Sequence, residues 1–263
     1  MKWFEGRGIS LRYKMLHGRG PYLVLIHEMG GSIESWDQVI AHLPPNQGVI
    51  VPEMRGMGFS EKIKEEPSFS DIADDILALL DYLDVHDPVV MSGCAVGGGV
   101  AVQFALNYPE RVAGLAPLGP AMDVADTARS AVLAMADRME AEGMRLMEPL
   151  LLDRTYPQYY RDRNPGHFSL VRGRWYGNDP VSFAHFFRML AATNLIAELS
   201  RLSCPVFFGA GLHDSFRPPE YVKNAAKYVH DAKVFEIEAG HHAADHAPGT
   251  VAKLLTDLVE KVS

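Results

Sequence analysis

Cysteine is almost absent: the 263 residues contain two, Cys94 and Cys204. Two cysteines make no disulfide framework, so the chain is expected to be held by its core in a reducing, cytoplasmic setting. Long uncharged runs are equally scarce. The stretch from Pro88 to Pro109 is long enough to raise the question of a membrane span. It is interrupted by Ser92 and by glycines at 93, 97, 98 and 99, which reads as strand, turn and helix instead. The opening residues Met1 to Arg7 carry no apolar run, so no signal peptide is expected. Positive charge is in deficit, with 25 Lys and Arg against 33 Asp and Glu and a net charge of −8. Without a local basic patch such a surface does not attract nucleic acid. No internal repeat or low-complexity tract is present. What remains is ordinary globular composition, 48% hydrophobic and 22% charged, which excludes disorder, collagen and coiled coil. The length suits a single α/β domain carrying an inserted subdomain.

Ile9, Leu11, Tyr13 and Met15 alternate with polar residues, the period of a half-buried strand. Tyr22 to Ile26 is apolar on both faces, as a central parallel strand should be. Further short apolar runs predict strands at Gly48–Val51, Pro88–Met91, Val112–Leu118, Pro205–Phe208 and Lys233–Ile237. Between them, helices are expected at Ser32–Leu43, in a long segment capped by Ser70 that places Ile72, Ile76, Leu79, Leu80 and Leu83 on one face, after Gly97, and at Gly249–Val262. Strand alternating with helix predicts a mostly parallel sheet with helices on both faces. The rhythm breaks from 121 to 200, a helical stretch rich in Met and Arg. The expected organisation is a core of residues 1–120 and 201–263 with a helical cap at 121–200, placed over the carboxyl ends of the strands where open α/β sheets bind ligands.

Met91-Ser92-Gly93-Cys94-Ala95-Val96-Gly97-Gly98 must turn a strand into a helix within a few residues. Such a turn pushes its middle residue into a strained conformation and needs small residues two positions away on each side. Gly93 and Gly97 flank Ala95 at that spacing. Centring the turn on Cys94 instead would put Val96 where the helix must approach closely, so Cys94 is read as a small packed residue.

These residues resemble the α/β-hydrolase superfamily, whose Gly-x-Ser-x-Gly turn carries a serine nucleophile; here alanine stands in its place. Other segments extend the resemblance. His27-Glu28-Met29-Gly30-Gly31 is similar to the family's loop after the third strand. Pro52-Glu53-Met54-Arg55-Gly56-Met57-Gly58-Phe59-Ser60 resembles Pro-Asp-x-Arg-Gly-x-Gly-x-Ser. Gly211-Leu212-His213-Asp214 resembles the acid loop and Ala239-Gly240-His241 the histidine turn. The order nucleophile, acid, histidine is the hydrolase order. The final third, through Asp179–Phe183, Leu190–Leu195 and Cys204-Pro205-Val206, looks most like 3-oxoadipate enol-lactonase relatives.

The resemblance implies an eight-stranded, mostly parallel α/β-hydrolase sheet and assigns roles. His241 would be the general base, in preference to its neighbour His242; His246 would be structural. Asp214 would hold the imidazole, with Asp123 as the alternative acid. The amides of Met29 and Val96 would form the oxyanion hole. Glu28 stands where the family has glycine, and a carboxylate there would repel the developing charge unless it turns away or binds a substrate cation. In the cap, Arg161 and Arg174, with Trp175 and Tyr176, are candidates for pairing with a substrate carboxylate. The run Met135, Met139, Met144 and Met147 is expected to be core. No metal motif or dinucleotide fingerprint is present, so no cofactor is expected, and the partner is a small molecule. Nothing in the sequence sets an oligomeric state.

Alanine carries no nucleophilic atom. Three readings follow. The chain is a nucleophile-to-alanine inactive form of a serine hydrolase acting on an ester, lactone, amide or C–C bond of a small, carboxylated substrate. Or the His241–Asp214 dyad acts alone, as in the cofactor-independent dioxygenases of this fold. Or the chain is a small-ligand receptor without turnover, as hormone and karrikin receptors show the fold can be.

Overall fold

Leu23, Val24, Leu25 and Ile26 are all fully buried, yet they face two different cores. Leu23 and Leu25 pack into one hydrophobic cluster, Val24 and Ile26 into the other. Val49 and Val51 divide from Ile50 in the same way, as does Val90 from Val89 and Met91. Side chains of a strand alternate between faces, so a strand apolar at every position requires helices on both sides of the sheet.

The computed structural model describes residues 2–263. Its eight strands are β1 (Lys2–Gly6), β2 (Ile9–Leu16), β3 (Arg19–Ile26), β4 (Gln47–Pro52), β5 (Val89–Cys94), β6 (Val112–Leu118), β7 (Val206–Gly211) and β8 (Ala232–Ile237), in the sheet order β1-β2-β4-β3-β5-β6-β7-β8. The pairs β1–β2 and β2–β4 are antiparallel; all others are parallel. This is the α/β-hydrolase fold expected from the sequence. Helices α2 (Phe69–Tyr82) and α3 (Val96–Asn107) bury Ile72, Ile76, Leu79 and Val100 against one face. Helices α1 (Asp37–Ile40) and α12 (Pro248–Val262) bury Val39, Val251, Leu254 and Leu258 against the other. The uncharged stretch 88–109 is β5 and α3, and among the described residues no helix is long and apolar enough to cross a membrane.

Three local expectations need correction. Strand β1 escaped the sequence reading because Phe4 is its one buried side chain. It pairs through a two-residue turn in which Arg7 (φ 53°) and Gly8 (φ 74°) both adopt positive φ, the geometry a tight hairpin demands. The cap of α2 is Ser68 rather than Ser70: its hydroxyl accepts from Asp71 N, and the Asp71 carboxylate accepts from Ser68 N, a reciprocal capping box. The expected helix over 32–43 is a 3-10 turn (Ile33–Trp36) followed by the single turn α1, and Pro44-Pro45 prevents its extension.

Between β6 and β7 the chain forms α4 (Asp126–Glu142), α5 (Met144–Met147), α6 (Leu152–Thr155), α7 (Gln158–Arg163), α8 (Pro165–Tyr176) and α9 (Pro180–Ala192). Its entry and exit are stitched together: Asp123 bridges Asn194, and Leu195 N donates to Met122 O at 2.7 Å. With its start and end joined in this way, the segment is inserted between β6 and β7 without disturbing strand order.

The loop from 53 to 60 is anchored by charge. Glu53 is fully buried and pairs with Arg12, which is 2% exposed and also holds Glu34. Glu53 further accepts from the amides of Phe59 (2.7 Å) and Ser60 (2.9 Å). Removing one partner of a buried ion pair strands the other. Arg12→Met is therefore expected to lower stability by about 3–5 kcal/mol. A denaturant midpoint unchanged from the parent would show that Glu53 is held by its amide donors alone.

Candidate active site

β3 lies between β4 and β5 in the sheet, so the loops leaving β3 and β5 diverge at a point where the strand order reverses. Ligands bind at such points in open α/β sheets. The loop after β5 is the tightest reversal in the chain. Ala95 sits at its tip with φ 53° and ψ −115°, a conformation costing about 1–3 kcal/mol in a non-glycine residue. The glycines around it make room for this turn. A Cβ on Gly93 would stand 2.1 Å from Gly97 O, one on Gly97 2.4 Å from His27 O, and one on Gly99 2.2 Å from Ala121 O. No side chain fits at those distances, so β5 and α3 close on each other and on the β3 loop only as glycine backbone.

The strained geometry aims the Ala95 methyl into a cavity of about 430 Å³, lined also by Met29, Val96, His241 and His242. The imidazole of His241 is 12% exposed, and its Nδ1 lies 2.8 Å from Asp214 Oδ2. A carboxylate only accepts, so Nδ1 carries the proton and Nε2 is left as a base. Asp214 Oδ1 accepts from the amides of Phe216 (2.8 Å) and Arg217 (2.9 Å). Burial opposes ionisation of this carboxyl, but the hydrogen bond and charge of His241 and the two amides outweigh it and hold its pKa below the usual range.

Two backbone amides complete the arrangement. Val96 N is the first amide of α3 and has no intrahelical acceptor. Met29 N makes no hydrogen bond among the described residues. The β3 loop that carries Met29 is fixed by His27, whose Nδ1 donates to Glu28 O (2.7 Å) while Nε2 accepts from Met54 N (3.0 Å). That clamp was not read from the sequence, although a histidine directly after a buried strand was a signal for it. Glu28 turns away from the cavity: its Oε1 accepts from Ser35 Oγ at 2.8 Å and fills the space that a Cβ on Gly31 would occupy.

The other expected site residues divide. Trp175 lines the cavity; Arg161, Arg174 and Tyr176 do not. Arg161 pairs with Asp153 at 2.8 Å, and Tyr176 bonds Glu148 and Arg172 at the surface. Of the methionines, Met135 lines the cavity, while Met139, Met144 and Met147 are core. Asp123 accepts from Tyr221 OH at 2.7 Å, away from His241. Cys94 is buried on the opposite face of the sheet, its Sγ 3.4 Å from His241 O. The sequence reading missed Arg154, Ser215, Phe216 and Arg217, which line the cavity mouth, and the small stripe Ala121, Ala125, Ala128 along its wall. Among the described residues no group of three His, Cys, Asp or Glu side chains is placed to hold a metal ion.

A second buried polar cluster supports the histidine turn. Asp245, in α11 (Ala243–His246), which follows α10 (Pro219–Ala226) in the chain, accepts from Tyr156 OH at 2.7 Å, pairs with His167, and receives Tyr160 OH on its carbonyl at 3.1 Å. These partners come from α7, α8 and the residues between α6 and α7, so the inserted helices brace the turn that carries His241. His242 and His246 lie in this region, and burial is the main force pushing the pKa of each down to about 3 from an ordinary 6.5. Both imidazoles are thus neutral in the folded protein and take up protons on unfolding. A folded pKa below the unfolded one gives stability that is complete above the unfolded value and is lost as pH falls toward the folded value. Between about pH 7 and about pH 5 the loss is expected to be roughly 2 kcal/mol per histidine. Urea midpoints across that range check this; a flat profile would mean that these rings reach solvent.

The sequence profile of the alpha/beta hydrolase fold family matches residues 21–170. The chain spans about a third of the length of the first curated relatives it matches: an uncharacterised Mycobacterium tuberculosis protein is 36% identical over 112 residues, 39% of this chain and 33% of that one. The magnesium-chelatase 30 kDa subunit of Rhodobacter capsulatus is 27% identical over 259 residues, 92% of this chain and 87% of that protein. Among solved structures, the enol-lactonase from Burkholderia xenovorans LB400 superposes with a TM-score of 0.92 at 22% identity, covering 98% of this chain and 100% of that one, a likeness of fold. Sheet order, strained elbow and profile match agree, and the chain belongs to the alpha/beta hydrolase fold family.

Proposed function

We propose that this cavity is an acyl-transfer site for a small ester or lactone, and that alanine at position 95 leaves it able to bind but not to form an acyl-enzyme. One observation carries the reading: residue 95 keeps the strained backbone of a nucleophile, facing the same cavity as the His241–Asp214 dyad and two unpaired amides. With serine at 95, Oγ would give its proton to His241 Nε2 and attack the carbonyl carbon. The amides of Met29 and Val96 would receive the oxyanion. His241 would then protonate the leaving oxygen and next activate water to cleave the ester. The test is the Ala95→Ser chain assayed on acyl esters and lactones beside the unaltered chain.

A second reading is favoured by the dyad being complete with no hydroxyl between it and the cavity. His241 would then take a proton from the substrate itself, as a dyad-only dioxygenase does. Oxygen uptake by the unaltered chain on a hydroxyquinolone-type compound would select it.

A further inference from the structure

The cavity lining is cationic in an acidic protein. The chain carries a net charge of −8, yet no Asp or Glu is among the described residues that line the cavity, whereas Arg154 and Arg217 both are. Neither arginine is spent on a carboxylate. Asp153, beside Arg154, is taken by Arg161 at 2.8 Å. The Arg154 guanidinium makes no hydrogen bond or ion pair among the described residues; its Cζ lies over the Phe216 ring, 4.2 Å from the centroid. The Arg217 guanidinium donates only to carbonyls, Phe216 O and Asp123 O, and its buried Nε has no acceptor among the described residues. Ser215 lines the same stretch with an exposed hydroxyl.

The opposite face of this cluster is the reactive centre. The Phe216 ring stands 5.2 Å from the His241 ring, so one aromatic ring separates the Arg154 guanidinium from the base. Much of the remaining wall is apolar, made by Val132, Phe187 and Leu190 among others. A guanidinium held over an aromatic ring with none of its N–H groups on an acid keeps donors free for a planar carboxylate, and holding it in place lowers the entropy cost of that pairing.

We propose that Arg154, assisted by Ser215 and Arg217, forms an anion subsite, and that the ligands of this cavity are acyl compounds with an apolar body and a carboxylate a few bonds from the reacting carbonyl. This replaces the expectation that Arg161 or Arg174 would serve that purpose. It rests on reading the cavity as an acyl-transfer site, but its test needs no turnover.

The unaltered chain, with alanine at 95, is titrated calorimetrically with 5-phenylpentanoate and with 5-phenylpentanamide, which differ only in charge at one end. The carboxylate is expected to bind about tenfold more tightly than the amide, the scale of one partly exposed charge-assisted contact. Arg154→Gln should abolish that preference by weakening the carboxylate alone, and Arg154→Lys should keep part of it. Thermal melting of both variants verifies the fold, and Arg154 is exposed enough that no loss is expected. Equal affinities of the two ligands for the unaltered chain, or a preference that survives Arg154→Gln, would overturn the subsite. If Ala95→Ser hydrolyses no ester while the preference is present and Arg154-dependent, the acyl-transfer reading fails and the subsite stands.

Discussion

The Ala95→Ser chain is expected to hydrolyse simple acyl esters roughly a thousand- to a million-fold faster than the chain with alanine, the range over which nucleophile removal acts in triad hydrolases. The size follows from what is already in place. Residue 95 already stands at φ 53° with a Cβ in place, and Gly93 and Gly97 leave room for the turn. Adding an oxygen to the Ala95 Cβ therefore requires no rearrangement of β5 or α3. His241, Met29 and Val96 border the same cavity. The readout is release of a chromogenic alcohol, with a burst equal to the enzyme concentration when deacylation is slow. A folded Ala95→Ser protein that stays at background on a broad panel of esters and lactones would sink the acyl-transfer reading.

Asp214→Asn, introduced into that serine form, is expected to reduce kcat by about ten-thousand-fold while leaving KM nearly unchanged. Asp214 accepts two amides on Oδ1 and the His241 Nδ1–H on Oδ2. An asparagine would keep its oxygen on the amides of Phe216 and Arg217, since they can only donate. Its NH₂ would then face Nδ1, which must become an acceptor. The proton moves to Nε2, and the ring can no longer take one from serine. Asp214 is buried and does not line the cavity, so substrate binding should be spared. A fall of less than tenfold would mean that another acid, such as Asp123, has taken over, or that His241 is not the base. The buried Arg12–Glu53 pair and the neutral histidines His242 and His246 are tested separately, by stability rather than by rate.

Much of this arrangement could be read before any coordinates. Alternation and apolar runs located the parallel strands, since burial on both faces leaves Leu23–Ile26 of β3 and Val89–Met91 of β5 apolar at every position. Glycine spacing located the elbow, because steric exclusion acts between residues two to four apart and leaves its mark directly in the chain. β1 left no mark, as a two-stranded edge with one buried residue has almost no hydrophobic pattern. The arginine expectation went astray for a related reason. Arg154, Arg161 and Arg174 look alike in sequence, and each lies in a helical stretch with aromatic neighbours.

Local sterics and hydrophobic period thus determined seven of the eight strands, the long helices and the strained turn at Ala95 from sequence alone. Only the tertiary structure decided where the Glu28 carboxylate points and which arginine is left without an acid. The physical reason is reach. Backbone exclusion is settled within a few residues, but charge pairing and cavity lining depend on elements that packing brings together from distant parts of the chain: the loop after β7, the turn before α11, and the helices inserted between β6 and β7.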